Sequence, residues 1–418
     1  MTEVIDSALN IEDIAAQFPI LNQRVNGVAL AYLDNAATTQ VPRSVITAMS
    51  QFEQHDRANI HRGVHTLSQR ATDDFEAARA NVKKFLQVPK MHELIFTSGT
   101  TDALNMLAQG MTFAISGEPL LRAGDEIVVS GLEHHANLIP WQQAARRTGA
   151  VLRIVKPDDQ GRLHADDLRK MLSSKTRVFS ITACANATGY CPPLKEMLRL
   201  AAGAGAMTVV DAAQAVGHGK VDVEDWGCDF LAFSAHKMYG PMGMGGLVGR
   251  RSLLERLSPL RFGGDMVDWV TFDDAAFNDI PARLEGGTPN VGGTIGMSAA
   301  ATFMMNLDRQ ALATHLAALR AQAVAALQKM DGVRVFVPEN SDAEAIVSFV
   351  VDGVHPHDIG TFLDEKGVAV RTGHHCAQPL LECLGVGSTT RASFAVYNTH
   401  DQIDQLVAGV ARAIKVLR

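Results

Sequence analysis

The chain has 418 residues, of which 47% are hydrophobic and 20% charged, with a net charge of −7. That is the balance of a soluble globular protein, too long for one ordinary core, so two domains are expected. The negative charge and the lack of a Lys/Arg-rich run argue against a nucleic-acid binder, and no apolar run reaches membrane-spanning length.

The first residues, "MTEVIDSALNIEDIAAQF", are acidic, with no basic segment ahead of an apolar stretch. A secretory signal is not expected there. Short β-branched runs then recur: "ELIFTS" (93–98), "EIVVSG" (126–131), "VLRIVK" (151–156), "RVFSITAC" (177–184), "MTVVDAA" (207–213) and "FLAFSAH" (230–236). Helical spacing separates them, as in "DDLRKMLSS" and "PLKEMLRLAAGAG". Alternating strand and helix predicts a mainly parallel α/β sheet covered on both faces, with ligands beyond the strand C-termini. After about residue 295 the pattern changes. A long alanine-rich helical stretch (297–330) leads to "AIVSFVV", "GVAVRTG", "RASFAVYNT" and a final helix. The expected division is a large domain, 22–295, and a smaller α+β domain, 296–418, joined by segment 1–21. Five cysteines (Cys184, Cys191, Cys228, Cys376, Cys383) form no CxxC pair and are odd in number, which suits a reducing cytosol.

The polar residues after the strands carry the chemistry. In "FTSGTTDALNML" (96–107) a Gly-Thr-Thr turn opens a helix. Free N–H groups and two hydroxyls there suit a phosphate dianion, although an ordinary cap reads the same way, and the Walker spacing is missing. "SGLEHHANLIPW" places His134 and His135 after the next strand, for ring stacking or as satisfied surface imidazoles. "VVDAAQAVG" sets Asp211 at a strand end with Gln214 three residues on. Asp211 could keep a ring nitrogen protonated, or simply cap a helix. "SAHKMYGPMGMGG" has Lys237 between a buried strand and a glycine-rich turn. A desolvated lysine there could form a Schiff base, while a surface lysine is the commoner fate. "VRTGHHCAQPL" (370–380) holds Cys376 beside cationic groups: a nucleophile, a metal ligand or a buried small hydrophobe. His-His-Cys has no recognised zinc spacing, so no metal is expected.

Together these segments, with "YLDNAATT" (32–39), "NIHRGVHTLS" (59–68), "GGTPN" (286–290) and "RASFAVYNT" (391–399), resemble fold type I, class V aminotransferase-like pyridoxal phosphate enzymes. Within that group they are similar to the group II cysteine desulfurases of the SufS and CsdA type, over essentially the whole chain. The resemblance implies a mainly parallel seven-stranded sheet in the large domain and pyridoxal 5'-phosphate as cofactor. It also implies roles. Lys237 matches the lysine that holds the cofactor, Asp211 the partner of the pyridine nitrogen, and Gln214 the contact to the ring hydroxyl. His134 matches the catalytic imidazole that stacks on the ring and shuttles protons. Thr100, Thr101, Ser234 and His236 match the phosphate cradle, and Thr288 a threonine reaching the other subunit's phosphate, which implies a homodimer. Asn186 and Arg391 match the grip on the substrate carboxylate, and Arg371 is expected to bind substrate with them. Cys376 matches the nucleophile.

Two positions depart from the family pattern. Ser98 stands where Arg is frequent, and Ala185 where Ser is frequent. The implied reaction is removal of sulfur from L-cysteine to give L-alanine and a persulfide on Cys376. That sulfur would pass to a SufE- or CsdE-like acceptor for iron–sulfur cluster assembly in the cytoplasm. Selenocysteine lyase and cysteine sulfinate desulfinase are the rival activities, since neither needs a thiol attack. A non-enzymatic sulfur-relay scaffold is disfavoured because lysine and nucleophile are both present.

Overall fold

The computed structural model describes residues 10–115, 117–219, 221–338 and 342–418. Seven strands form the main sheet: β1 (His92–Thr97), β2 (Glu126–Ser130), β3 (Val151–Val155), β4 (Thr176–Thr182), β5 (Met207–Asp211), β6 (Phe230–Ser234) and β7 (Gly245–Arg250). Their order is β1-β7-β6-β5-β4-β2-β3. β2 to β6 pair in parallel, while β7 runs antiparallel to both β1 and β6. Every residue of β1, β2 and β6 is buried. Helices on both faces account for the apolar runs at their centres.

β7 is the strand that the sequence conceals, because its glycines read as a turn. The glycines are needed for close approach rather than flexibility. A Cβ on Gly245 would strike the Phe233 carbonyl oxygen and sit 2.6 Å from Gly99 Cα, so no larger residue fits between β6 and the turn after β1. The helical stretch expected over 297–330 is two helices, Val291–Met305 and Arg309–Leu327. Asp308 divides them. Its carboxylate accepts the N–H groups of Gln310 (2.9 Å) and Ala311 (3.0 Å), starting the second helix anew. Residue 295, where the sequence divides the chain, lies inside the first helix.

A second sheet, β8 (Val333–Phe336), β9 (Ile346–Val351), β10 (Arg371–Gly373) and β11 (Thr389–Ser393), is antiparallel in the order β8-β9-β11-β10. "GVAVRTG" contributes two pieces, because Val368–Ala369 pairs instead with Ala31–Tyr32. The N-terminal segment is anchored where the two sheets meet. The helix Ile11–Ala15 leads to Phe18, whose ring lies 4.6 Å from Tyr397, 5.6 Å from Phe303 and 5.9 Å from Tyr239. Residues 1–9 of the expected linking segment lie outside the described residues. The C-terminal ends of β1, β2, β4, β5 and β6 open towards β10 and β11, and the cavity of interest lies there.

Candidate active site

One cavity of about 570 Å³ takes its wall from both sheets. That is the size of a typical small-molecule site. Thr100, Thr101, His134, Asn186, Asp211, Gln214, Ser234, His236 and Lys237 line it from the main sheet, with Arg371, Cys376 and Arg391 opposite. Of the residues to which the family resemblance assigns a site role, only Thr288 stands away, exposed at the surface of the chain.

The turn after β1 is a cradle. Gly99 has φ +142°, and a Cβ there would lie 3.2 Å from Ser234 Oγ. The Thr100 N–H donates to Ser234 Oγ at 2.8 Å, and the two hydroxyls are also 2.8 Å apart. Helix Thr100–Gly110 therefore opens at the cavity wall, with the Thr100 and Ser234 hydroxyls beside its first turn.

Lys237 follows β6 in a short turn, Ala235–Lys237. Burial pushes its ammonium down to about 8, opposed by Asp211 and reinforced by Arg391. Asp211, at the end of β5, is buried and accepts the Ala213 N–H at 2.9 Å. Burial raises its carboxyl, while that hydrogen bond and Lys237 act against the rise. Gln214 Nε2 donates to the Ala36 carbonyl at 2.8 Å. His134 Nδ1 accepts the Ala136 N–H at 3.0 Å, which leaves the ring proton on Nε2. Burial, then Lys237, lowers this imidazole to about 4, so it is neutral at pH 7.

Opposite stand two arginines of different character. Arg391, on β11, is 2% exposed, and its Nη1 donates to the Asn186 carbonyl at 2.8 Å. Its Nε is buried without a partner among the described residues, as is Asn186 Oδ1. Burial lowers this guanidinium to about 10, and Asp34, with Nη2 at 3.6 Å, opposes that. Arg371 is more exposed and holds Asp34 through Nε (3.1 Å) and Nη2 (2.8 Å). Asp34 thus offsets one of the two arginine charges, a function that sequence reading did not assign to the "YLDNAATT" motif. Glu133 was missed as well. It is buried behind Asp211, accepts from Asn137 Nδ2 (2.6 Å) and the Thr182 N–H (2.7 Å), and burial raises it to about 8. A carboxylate directly before His134 in "SGLEHHANLIPW" was its signal.

Cys376 sits at the tip of a tight turn. His375 and Cys376 both have positive φ, +52° and +53°, a conformation that non-glycine residues seldom adopt. The turn is held from both sides. The Cys376 carbonyl accepts the His135 N–H (2.7 Å), and the His375 carbonyl accepts Asn186 Nδ2 (2.6 Å). The Cys376 side chain is exposed in the cavity mouth. His375 points inward, bonded to Thr389 Oγ1 at 2.8 Å, and burial lowers it to about 2. It therefore stays neutral and buttresses the turn. Among the described residues no group of His, Cys, Asp or Glu suits a metal ion, and no helix is long and apolar enough to cross a membrane.

The donor set fits pyridoxal phosphate. A glycine-cleared cradle with two hydroxyls suits its phosphate, Asp211 its ring nitrogen, Gln214 its ring hydroxyl and the deprotonable Lys237 its carbonyl. The unpartnered Arg391 Nε and Asn186 Oδ1 remain for an amino acid.

Comparison with known proteins agrees. The aminotransferase class-V family profile matches residues 31–406. A probable cysteine desulfurase of Halalkalibacterium halodurans is 43% identical over 404 residues, 97% of this chain and 98% of that one. A probable cysteine desulfurase of Vibrio cholerae is also 43% identical, covering 98% of this chain and all of its own length. The crystal structure of the cysteine desulfurase CsdA from Escherichia coli superposes with TM-score 0.88 at 40% identity, covering 98% and 99% of the two chains. Apo cysteine desulfurase from Thermococcus onnurineus NA1 gives 0.91 at 34% identity, covering 97% and 98%.

Proposed function

The chain belongs to the aminotransferase class-V family, and from that premise we propose that it is a cysteine desulfurase in which Lys237 and Cys376 act on one substrate molecule. The observation that carries this reading is their shared cavity. Pyridoxal phosphate, when bound, supplies an electron sink that acidifies the α-carbon of an amino acid. Lys237 would hold it, with Thr100, Thr101, Ser234 and His236 around its phosphate, and Thr288 of a second copy completing that cradle in a homodimer.

The residues of this chain do the rest. Arg391 receives the L-cysteine carboxylate on its free Nε, and Asn186 receives the ammonium side of the substrate on Oδ1. Asp34 keeps Arg371 turned aside, so one arginine, not two, meets the incoming anion. Lys237 Nζ takes the α-proton. Cys376 Sγ attacks the substrate sulfur, so an S–S bond forms and the C–S bond breaks with its electron pair left on carbon. The proton given up by the Cys376 thiol returns to that carbon by way of His134, and Lys237 Nζ gives its proton back to the α-carbon, which yields L-alanine. The turn at Cys376 is held by its backbone on both sides, which keeps the thiol within reach of one sulfur atom. The persulfide at the cavity mouth is accessible to an acceptor protein of the SufE or CsdE type. Iron–sulfur cluster assembly and a cytoplasmic setting complete this reading. The decisive experiment is to record the cofactor absorbance, add L-cysteine, and assay L-alanine and protein-bound sulfur together.

Two further results are expected. Below about 8 the Lys237 amine is protonated and cannot attack a carbonyl. The apoprotein should therefore take up pyridoxal phosphate about tenfold more slowly for each pH unit below 8, with a plateau above it. A rate still climbing towards pH 10 would mean that Lys237 is solvated like an ordinary lysine. Arg391→Ala removes a charge-assisted contact of about 1.5–3 kcal/mol, so kcat/KM for L-cysteine should fall about 10- to 100-fold, mostly through KM. Arg371 still holds Asp34 in that variant. An unchanged KM would place the carboxylate elsewhere.

A further inference from the structure

Behind the cavity wall lies a cluster that this reaction does not use. Cys184 and Cys191 bracket the loop carrying Asn186. The Ala185 N–H donates to the Tyr190 carbonyl at 2.9 Å, so the next residues out on each arm, Cys184 and Cys191, face one another. Both thiols donate to one oxygen, the Gly189 carbonyl, at 3.4 and 3.7 Å, and both pack with Ala36 and Ile346. The two thiols converge on one oxygen and contact each other, which is the approach that a disulfide requires. Cys184 is buried and lines the cavity, whereas Cys191 is partly exposed. Contact with Cys191 and burial together push the Cys184 thiol up.

The second observation is Arg320, on the helix Arg309–Leu327. Its Nε and Nη2 are buried with no hydrogen-bond partner among the described residues. Its charge acts on Cys191, Cys184 and Glu344. A guanidinium without a fixed acceptor beside two thiols is suited to an anionic sulfur.

We propose that Cys184 and Cys191 form a redox-active dithiol, closed to a disulfide by a hydroperoxide, and that closure loosens the grip of Asn186 and Arg391 on the substrate. Cys191 Sγ, the more accessible sulfur, attacks one peroxide oxygen. The O–O bond breaks, leaving a sulfenic acid and one water from hydrogen peroxide. Cys184 Sγ then attacks Cys191 Sγ, the S–O bond breaks, and the departing hydroxide leaves as a second water with the Cys184 proton. Two thiols lose two electrons, and the peroxide gains them. The new bond draws both sulfurs away from the Gly189 carbonyl and tightens the ring 184–191 around Asn186. Asn186 holds the His375 carbonyl (2.6 Å) and Arg391 Nη1 (2.8 Å), so strain there reaches the carboxylate site. This last consequence rests on the reading of Arg391 and Asn186 given above, whereas formation of the disulfide does not.

The test uses holoenzyme carrying Cys376→Ala and Cys383→Ala, titrated with hydrogen peroxide. The tryptic peptide 178–195 should lose the mass of two hydrogen atoms and regain it with dithiothreitol. L-cysteine binding, followed by the cofactor spectrum, should weaken by about fivefold or more in the oxidised protein. Adding Cys191→Ser should abolish both effects and leave the binding of the reduced protein unchanged. A peptide that keeps both hydrogens, or an oxidised protein with unaltered affinity, overturns the proposal. Reduced protein that fails to bind L-cysteine would instead refute the substrate reading, and the peptide mass would still decide the disulfide.

Discussion

Lys237→Ala should leave a folded protein that has lost the visible absorbance of bound cofactor and turns L-cysteine over at least about 10³-fold more slowly. A positioned acid–base group contributes about 10²–10⁴-fold, and this one lysine is assigned both the cofactor and the α-proton. The fold should tolerate the change. Burying the ammonium is costly enough to bring it down to about 8, so its loss removes a penalty as well as a partner. Asp211, already raised by burial and still bonded to the Ala213 N–H, can take up a proton. Thermal unfolding of the apoproteins should therefore differ by only a few degrees, as for a substitution outside the packed core. The space left by the side chain invites a small amine, and methylamine should restore part of the α-proton transfer. An intact cofactor absorbance in the variant would remove Lys237 from its assigned place.

Cys376→Ala separates nucleophile from cofactor. This side chain touches none of the phosphate cradle, and alanine meets the same backbone strain at φ +53° that cysteine does. Cofactor absorbance and stability should match the unsubstituted protein, while persulfide disappears and L-alanine formation falls by about 10²-fold or more. The same variant decides between the rival activities. Selenocysteine or cysteine sulfinate can release the leaving group without thiol attack, so an enzyme evolved for either would keep most of its rate. L-alanine and sulfide formed from L-cysteine at an unchanged rate would exclude Cys376 as nucleophile.

Much of the site could be read in the sequence because the fold hangs its polar residues at strand ends. Six of the seven main strands announced themselves as apolar runs, and the residues following five of them reach the cavity. The seventh did not, because Gly245, Gly246 and Gly249 serve packing rather than a turn, and one sequence shows only the glycines. The break at Asp308 was hidden by an alanine-rich stretch whose helical character continues on both sides. Asp34 and Glu133 escaped for another reason. Each acts on a group remote in the chain, Arg371 and Arg391 for the first and Thr182 with Asp211 for the second, and no local pattern marks such a pairing. Cys184 and Cys191 entered the sequence reading only as two of five cysteines that form no CxxC pair. Their shared carbonyl and the unpartnered Arg320 became apparent only in three dimensions.

That Lys237 and Cys376 serve a single substrate is tested most directly by the stoichiometry of a first turnover. Holoenzyme mixed with one equivalent of L-cysteine, without acceptor or reductant, should form L-alanine and protein-bound sulfur in equal amounts, with the added sulfur on the peptide containing Cys376. L-alanine appearing without sulfur on the protein, or with sulfur on another cysteine, would contradict it.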